Sequence, residues 1–180
     1  MHKLPGQEQP LAAKILYYPV TKCRELLEML LEQYNLYTFN YDSDWTEAES
    51  NEYAQQAETA ENAFRRLFCD KEEFESPRAL ENTLSQVFDD GDASAFISKM
   101  TCWCEEHLQD HDKEDGASYT FCQGETVEDL NALLDPLIFS QHGLDVPSLS
   151  PLVEQVRIAV PTSRVLRYVT LVDLPGKSVQ

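Results

Sequence analysis

Basic charge is what this chain has least of. It has 14 Lys+Arg against 32 Asp+Glu over 180 residues, for a formal charge of −18. Nucleic acid and anionic membrane surfaces both demand a basic face, so neither is expected as a direct partner. Long apolar runs are also missing, and no membrane span is expected. The amino terminus lacks the regions of a secretory signal. The five cysteines (Cys23, Cys69, Cys102, Cys104, Cys122) are odd in number and irregular in spacing. They point to reduced thiols in an intracellular protein, nuclear or cytoplasmic, rather than to a disulfide framework. No repeat of fixed period is visible. A hydrophobic content of 42% with 10% aromatics is enough for a packed core, which argues against wholesale disorder.

The charge is unevenly spread. Residues 151–180 carry +2, so the first 150 carry −20. Residues 1–10, with two prolines and a glycine, read as an unanchored end. Residues 11–18 read as a short strand stopped by Pro19, although alanine and lysine weaken it. Thr21 is placed to cap the following helix. In that helix Cys23, Leu26, Leu27, Leu30, Leu31 and Tyr34 form one apolar stripe, ending near Asn35. Residues 36–45 read as an aromatic-rich connection. A long helix is predicted from Thr46 to Phe68, with Tyr53, Ala57, Ala60, Phe64 and Leu67 spaced as a seam between helices. Ser76-Pro77 starts another, with Leu80, Leu84, Val87 and Phe88 inward. Asp89-Asp90-Gly91-Asp92 breaks it and caps the next, which carries Phe96, Ile97, Met100, Trp103 and Cys104 and dissolves into the charged run Glu105–Asp115. Residues 116–124 are expected to be a loop. Thr126 to Asp129 has the capping-box pattern, and Leu130, Leu133, Leu134, Leu137 and Ile138 follow on one face. Residues 140–151 are a loop by composition.

The period then changes. Val156, Ile158 and Val160 alternate with Gln155, Arg157 and Ala159, a strand with one wet face. After the turn Pro161–Arg164, residues 165–172 become continuously apolar and run into Asp173. The pair is expected to form an antiparallel hairpin, the outer strand amphipathic and the inner one buried. A carboxylate at the end of a buried strand, with Gly176 three positions later, stands where open α/β sheets place ligands.

A hairpin ending in Asp-x-x-Gly resembles the middle of a P-loop GTPase domain. The form Leu171-Val172-Asp173-Leu174-Pro175-Gly176 is similar to the dynamin-like large GTPases. With Pro151–Ile158 and the acidic helical stretch before it, the chain resembles the dynamin-related nuclear GTPases of the SLIP-GC type and their fungal relatives. The resemblance implies an α/β fold: a partial P-loop GTPase sheet, built from the early strand and the closing antiparallel hairpin, with a large, acidic, mostly α-helical insertion. One partial dynamin-type G domain would cover 1–180, with the early strand at 11–20, the insertion at 21–150 and the hairpin at 151–180. It also implies that Asp173 holds Mg²⁺ through water and that the Gly176 N–H meets the γ-phosphate of GTP and hinges the segment after it. Pro175 would stiffen the turn between them.

No G-x-x-x-x-G-K-[ST] loop occurs in the sequence. Gly176-Lys177-Ser178 mimics its tail, but the position five before Gly176 is Leu171. The chain stops four residues after Gly176, so the family's switch helix and guanine-reading aspartate are absent from it. The expectation is therefore a middle segment, from a truncated or degenerate copy, that is inactive alone and binds guanine nucleotide only in a full-length relative. The competing expectation is an acidic helical interaction module without catalysis, whose stripes at 23–34 and 53–67 bind a protein partner or a second copy.

Other constellations carry less. Cys102, Cys104, His107 and His111 invite zinc, and a helix would put the last three on one face, but Cys-x-Cys is too tight for a structural site. The 89–92 run lacks the glutamate and glycine spacing of a calcium loop, and helix capping explains it better. Ser163, Ser178 and the cysteines show no nucleophile signature. The acidic runs at 46–62 and 105–115 read as solvated helix faces.

Overall fold

A computed structural model describes residues 4–40, 42–114, 116–138, 147–159 and 172–173. The fold is mixed α/β, and the chain divides into two compact units. One comprises residues 1–19, 108–142 and 148–180; the other comprises 20–107 and 143–147.

The first unit is a five-stranded sheet with a helix against it. Its strands are β1 (Leu11–Tyr17), β2 (Asp112–Glu114), β3 (Ala117–Gly124), β4 (Val153–Ala159) and β5 (Val172–Asp173), in the order β2-β3-β1-β4-β5. Every described pairing is antiparallel. Central β1 is almost wholly buried, including Ala12, Ala13, Ile15 and Tyr17. The predicted strand at 11–18 is therefore present despite its alanines and lysine. Small side chains suit a strand covered on both faces, and the lysine has partners described below.

β3 corrects the predicted loop at 116–124, and β2 lies inside the run predicted to be a dissolving helix end. The glycines that mimicked a loop sit at the strand's margins. Gly116 takes φ +83° between β2 and β3, a conformation only glycine adopts freely. Asp-Gly is a common signal for so short a hairpin. Gly124 closes β3 under the first turn of α5 (Val127–Ile138), which packs on β3 and β1. The Thr126 box forms as predicted: the Asp129 N–H donates to Thr126 Oγ1 at 3.1 Å, and the Thr126 N–H donates to Asp129 Oδ2 at 3.0 Å. Leu130 and Leu134 are buried, whereas Leu133 is exposed, so the apolar face is narrower than expected.

β4 lies between β1 and β5. This reverses the predicted order, in which 153–160 was the outer strand. Alternation reports which face of a strand is wet, not whether the strand has neighbours on both sides. Among the described residues β5 is outermost, and its Asp173 pairs with Val156. The rest of the predicted strand, 165–171, lies outside the described residues.

The second unit is helical. α1 (Val20–Thr38) starts one residue before Thr21, which is thus inside the first turn and not its cap. It buries Cys23, Leu27, Leu30, Leu31 and Tyr34 and packs against α2 (Glu47–Leu67). α2 is capped by Thr46, whose hydroxyl accepts from the Glu49 N–H while the Glu49 carboxylate accepts from the Thr46 N–H. Of the predicted seam, Ala57, Ala60, Phe64 and Leu67 are buried, and Tyr53 is half-buried. α3 (Pro77–Asp89) starts at the Ser76-Pro77 cap as predicted, with Ser76 Oγ accepting from the Ala79 N–H at 3.1 Å. Gly91, at φ +69°, ends it, and Asp92 precedes α4 (Ala93–Leu108). A single turn, Glu72–Phe74, inserts Phe74 among Phe64, Phe68, Phe96 and Trp103, with ring centroids 5.1–6.2 Å away.

The region predicted as one insertion, 21–150, thus holds both the helical unit and two strands of the sheet.

Candidate functional site

Asp173 and Gly176 are the residues predicted to meet magnesium and γ-phosphate. The backbone of Asp173 belongs to β5 and pairs with β4. Its side chain lies outside the described residues, as do Leu174, Pro175, Gly176, Lys177, Ser178 and Ser163. An aspartate offers hard oxygen donors that suit Mg²⁺. One carboxylate without a phosphate cradle does not hold a magnesium nucleotide by itself.

The zinc constellation does not assemble. α4 ends at Leu108, so His111 is off the helix that was to align it with Cys104 and His107. Among the described residues, no group of three or more His, Cys, Asp or Glu could hold a metal ion. Burial pushes the Cys23 thiol up to about 11 and raises those of Cys104 and Cys122, so none of these three is poised as a thiolate. The 89–92 aspartates sit at the α3–α4 junction, where the Asp90 and Asp92 N–H groups donate back to the Gln86 and Val87 carbonyls.

The sheet brings together two groups that sequence reasoning missed. In the first, Thr120 Oγ1 lies 3.0 Å from the Tyr17 hydroxyl and 3.1 Å from His111 Nδ1, with the Tyr17 and His111 rings 5.2 Å apart. A threonine hydroxyl has one proton and two lone pairs, so it can serve both neighbours. Burial raises the pKa of Tyr17, against a smaller lowering by its bond to Thr120. The phenol therefore stays protonated across the physiological range.

The second group is Lys14, Glu114 and Tyr119. Lys14 is buried at mid-β1, pairs with Glu114 of β2, and holds its ammonium 3.9 Å from the centre of the Tyr119 ring. The hydrogen bond from Lys14, followed by its charge, holds the Glu114 carboxyl below the usual carboxylate range. A carboxyl depressed in the folded state contributes stability that is complete above its unfolded pKa and lost as pH falls through the folded one. Stability should therefore drop on acidification below the ordinary glutamate range, and Lys14→Met should flatten part of that drop. Urea midpoints measured from neutral pH downward test this, and equal acid-side slopes in the two proteins would count against it.

Both groups depend on β3. The one available signal was the alternation of Ser118, Thr120 and Cys122 with Tyr119 and Phe121 behind an Asp-Gly turn.

No protein-family model, curated protein or solved structure matches the chain. Among the described residues, no helix is long and apolar enough to cross a membrane.

Proposed function

We propose that this chain is the middle segment of a dynamin-like GTP-binding domain, with a partial P-loop GTPase sheet, and that it does not turn over GTP alone. The supporting observation is the β4–β5 pair. Val172 and Asp173, where the Asp-x-x-Gly motif begins, pair antiparallel with β4, in the same sheet as the early strand β1. The side of β5 away from β4 carries no strand among the described residues. The helical unit between β1 and β2 takes the place of the insertion. In this reading Asp173 is the magnesium carboxylate and Gly176 the γ-phosphate hinge, and GTP with Mg²⁺ is the ligand of the full-length relative.

The purified 180-residue chain should show no saturable binding of a fluorescent GTP analogue with Mg²⁺ and no GTP hydrolysis, and turnover would overturn the incomplete reading. Reading the transcript upstream of Met1 tests the family. An in-frame Gly-x-x-x-x-Gly-Lys-Ser/Thr is expected, and a chain extended to include it should hydrolyse GTP and lose that activity with Asp173→Ala. An extended frame without the loop would sink the assignment.

A further inference from the structure

The two apolar stripes that the competing reading gave to a partner are used within the helical unit. Leu27, Leu30, Leu31 and Tyr34 of α1, and Ala57, Ala60, Phe64 and Leu67 of α2, are buried, and the two helices pack together. α1 nevertheless carries a second apolar row. Leu26, Met29, Gln33 and Leu36 are spaced by three, four and three residues, the repeat that keeps a seam on one side of a helix. Met29 is 45% exposed and Leu36 37% exposed, and Leu26 and Gln33 are half-buried. Two partly exposed apolar side chains seven residues apart on one side of a helix are spaced to meet the apolar stripe of a second helix.

Charge selects the occupant. Exposed Lys22 stands at the head of the row, and Glu25 and Glu32, seven residues apart, are exposed along one flank of it. From Val20 to His107 the chain has 20 Asp+Glu and seven Lys+Arg. A second copy packed antiparallel on this row would bring the glutamate flanks together, and each copy carries −18. A cationic helix instead pairs its lysines or arginines with Glu25 and Glu32 while its apolar side chains cover Met29 and Leu36. We infer that this row of α1 is a docking face for a basic amphipathic helix of another protein. The inference stands independently of the nucleotide reading.

The probe is a lysine–leucine peptide with leucine at heptad a and d positions and lysine elsewhere. A scrambled peptide of the same composition is the control. Fluorescence anisotropy at physiological ionic strength should show the patterned peptide binding the full chain more tightly than the scrambled one. The Met29→Glu/Leu36→Glu variant should bind it about tenfold more weakly or worse, because two apolar side chains no longer leave water. The variant is also more acidic, so attraction by charge alone would hold or tighten binding, and that result would overturn the proposal. Equal binding of the scrambled peptide would do the same. So would a wild-type dimer in sedimentation that the variant dissociates, since the face would then belong to a second copy. If far-ultraviolet circular dichroism shows the glutamate variant unfolded, Met29→Gln/Leu36→Gln replaces it, with the same loss expected and undiminished binding overturning the proposal.

Discussion

Replacing Phe74 with alanine should destabilise the helical unit by about 3–5 kcal/mol, the scale of emptying a large aromatic site in a packed core. Phe74 is 1% exposed, and its ring meets four others, those of Phe64, Phe68, Phe96 and Trp103. These partners come from α2, from the residue just after it, and from α4, so one side chain ties together segments distant in sequence. Each aromatic pair adds about 0.5–1.5 kcal/mol beyond its buried area. The neighbours cannot collapse easily into the space, because Phe64 and Phe68 are themselves fully buried and fixed by α2. Phe74→Leu, which keeps most of the volume but loses the four ring pairs, should cost less than the alanine variant. Urea unfolding followed by circular dichroism reads both variants. A loss below about 1 kcal/mol for the alanine variant would mean that Phe74 is not the centre of this cluster.

How legible this was from the sequence differed between the units. The helical unit was readable because its signals are local. Ser76-Pro77 fixed a helix start, Gly91 a stop, and the four-three spacing of Ala57, Ala60, Phe64 and Leu67 a buried face. Each depends on residues within a few positions along the chain. Even here periodicity did not name the neighbour: the spacing marked the seam of α2 as buried, and only the structure shows that α2 packs against α1.

The sheet was harder, because a strand's partners are remote. Ala117–Gly124 pairs with β1, roughly a hundred residues upstream, and nothing near it in sequence reports that pairing. Its bracketing glycines outweighed a short alternation of polar and aromatic residues. Once β3 was missed, Thr120 could not be joined to Tyr17 and His111, nor Tyr119 to Lys14. The relative places of β4 and β5 failed for a related reason, since wetness of a face was taken for an edge position. For Asp173 the sequence indicated a strand end, and the described backbone there is a strand. The role given to it comes from resemblance alone.

Gly124 is the position in the sheet unit where substitution should cost most for the fewest atoms. A Cβ there would lie 2.8 Å from the Leu130 backbone nitrogen, 3.1 Å from Asp129 Cβ and 3.1 Å from the Thr126 carbonyl oxygen. Two of those three atoms are backbone, one in the first turn of α5 and one in the Thr126 cap before it, both already fixed by the Thr126–Asp129 capping box. No flexible side chain can swing aside, so either α5 moves off the sheet or the end of β3 bends. Overpacking of this kind costs about 1–3 kcal/mol. Gly124→Ala should fall within that range, and Gly124→Val, which adds branching against the same atoms, should lie at or beyond its upper end. Gly116→Ala is the informative comparison. Nothing stands within 4 Å of its would-be Cβ, and the penalty there comes only from the left-handed φ of +83°. If the clash with α5 governs Gly124, Thr126→Ala, which removes the cap and frees the turn to shift, should cost less in the Gly124→Ala background than in the wild type. Strict additivity of the two losses in urea unfolding would show that the helix does not hold its ground against the strand, and that Gly124 is required for some other reason.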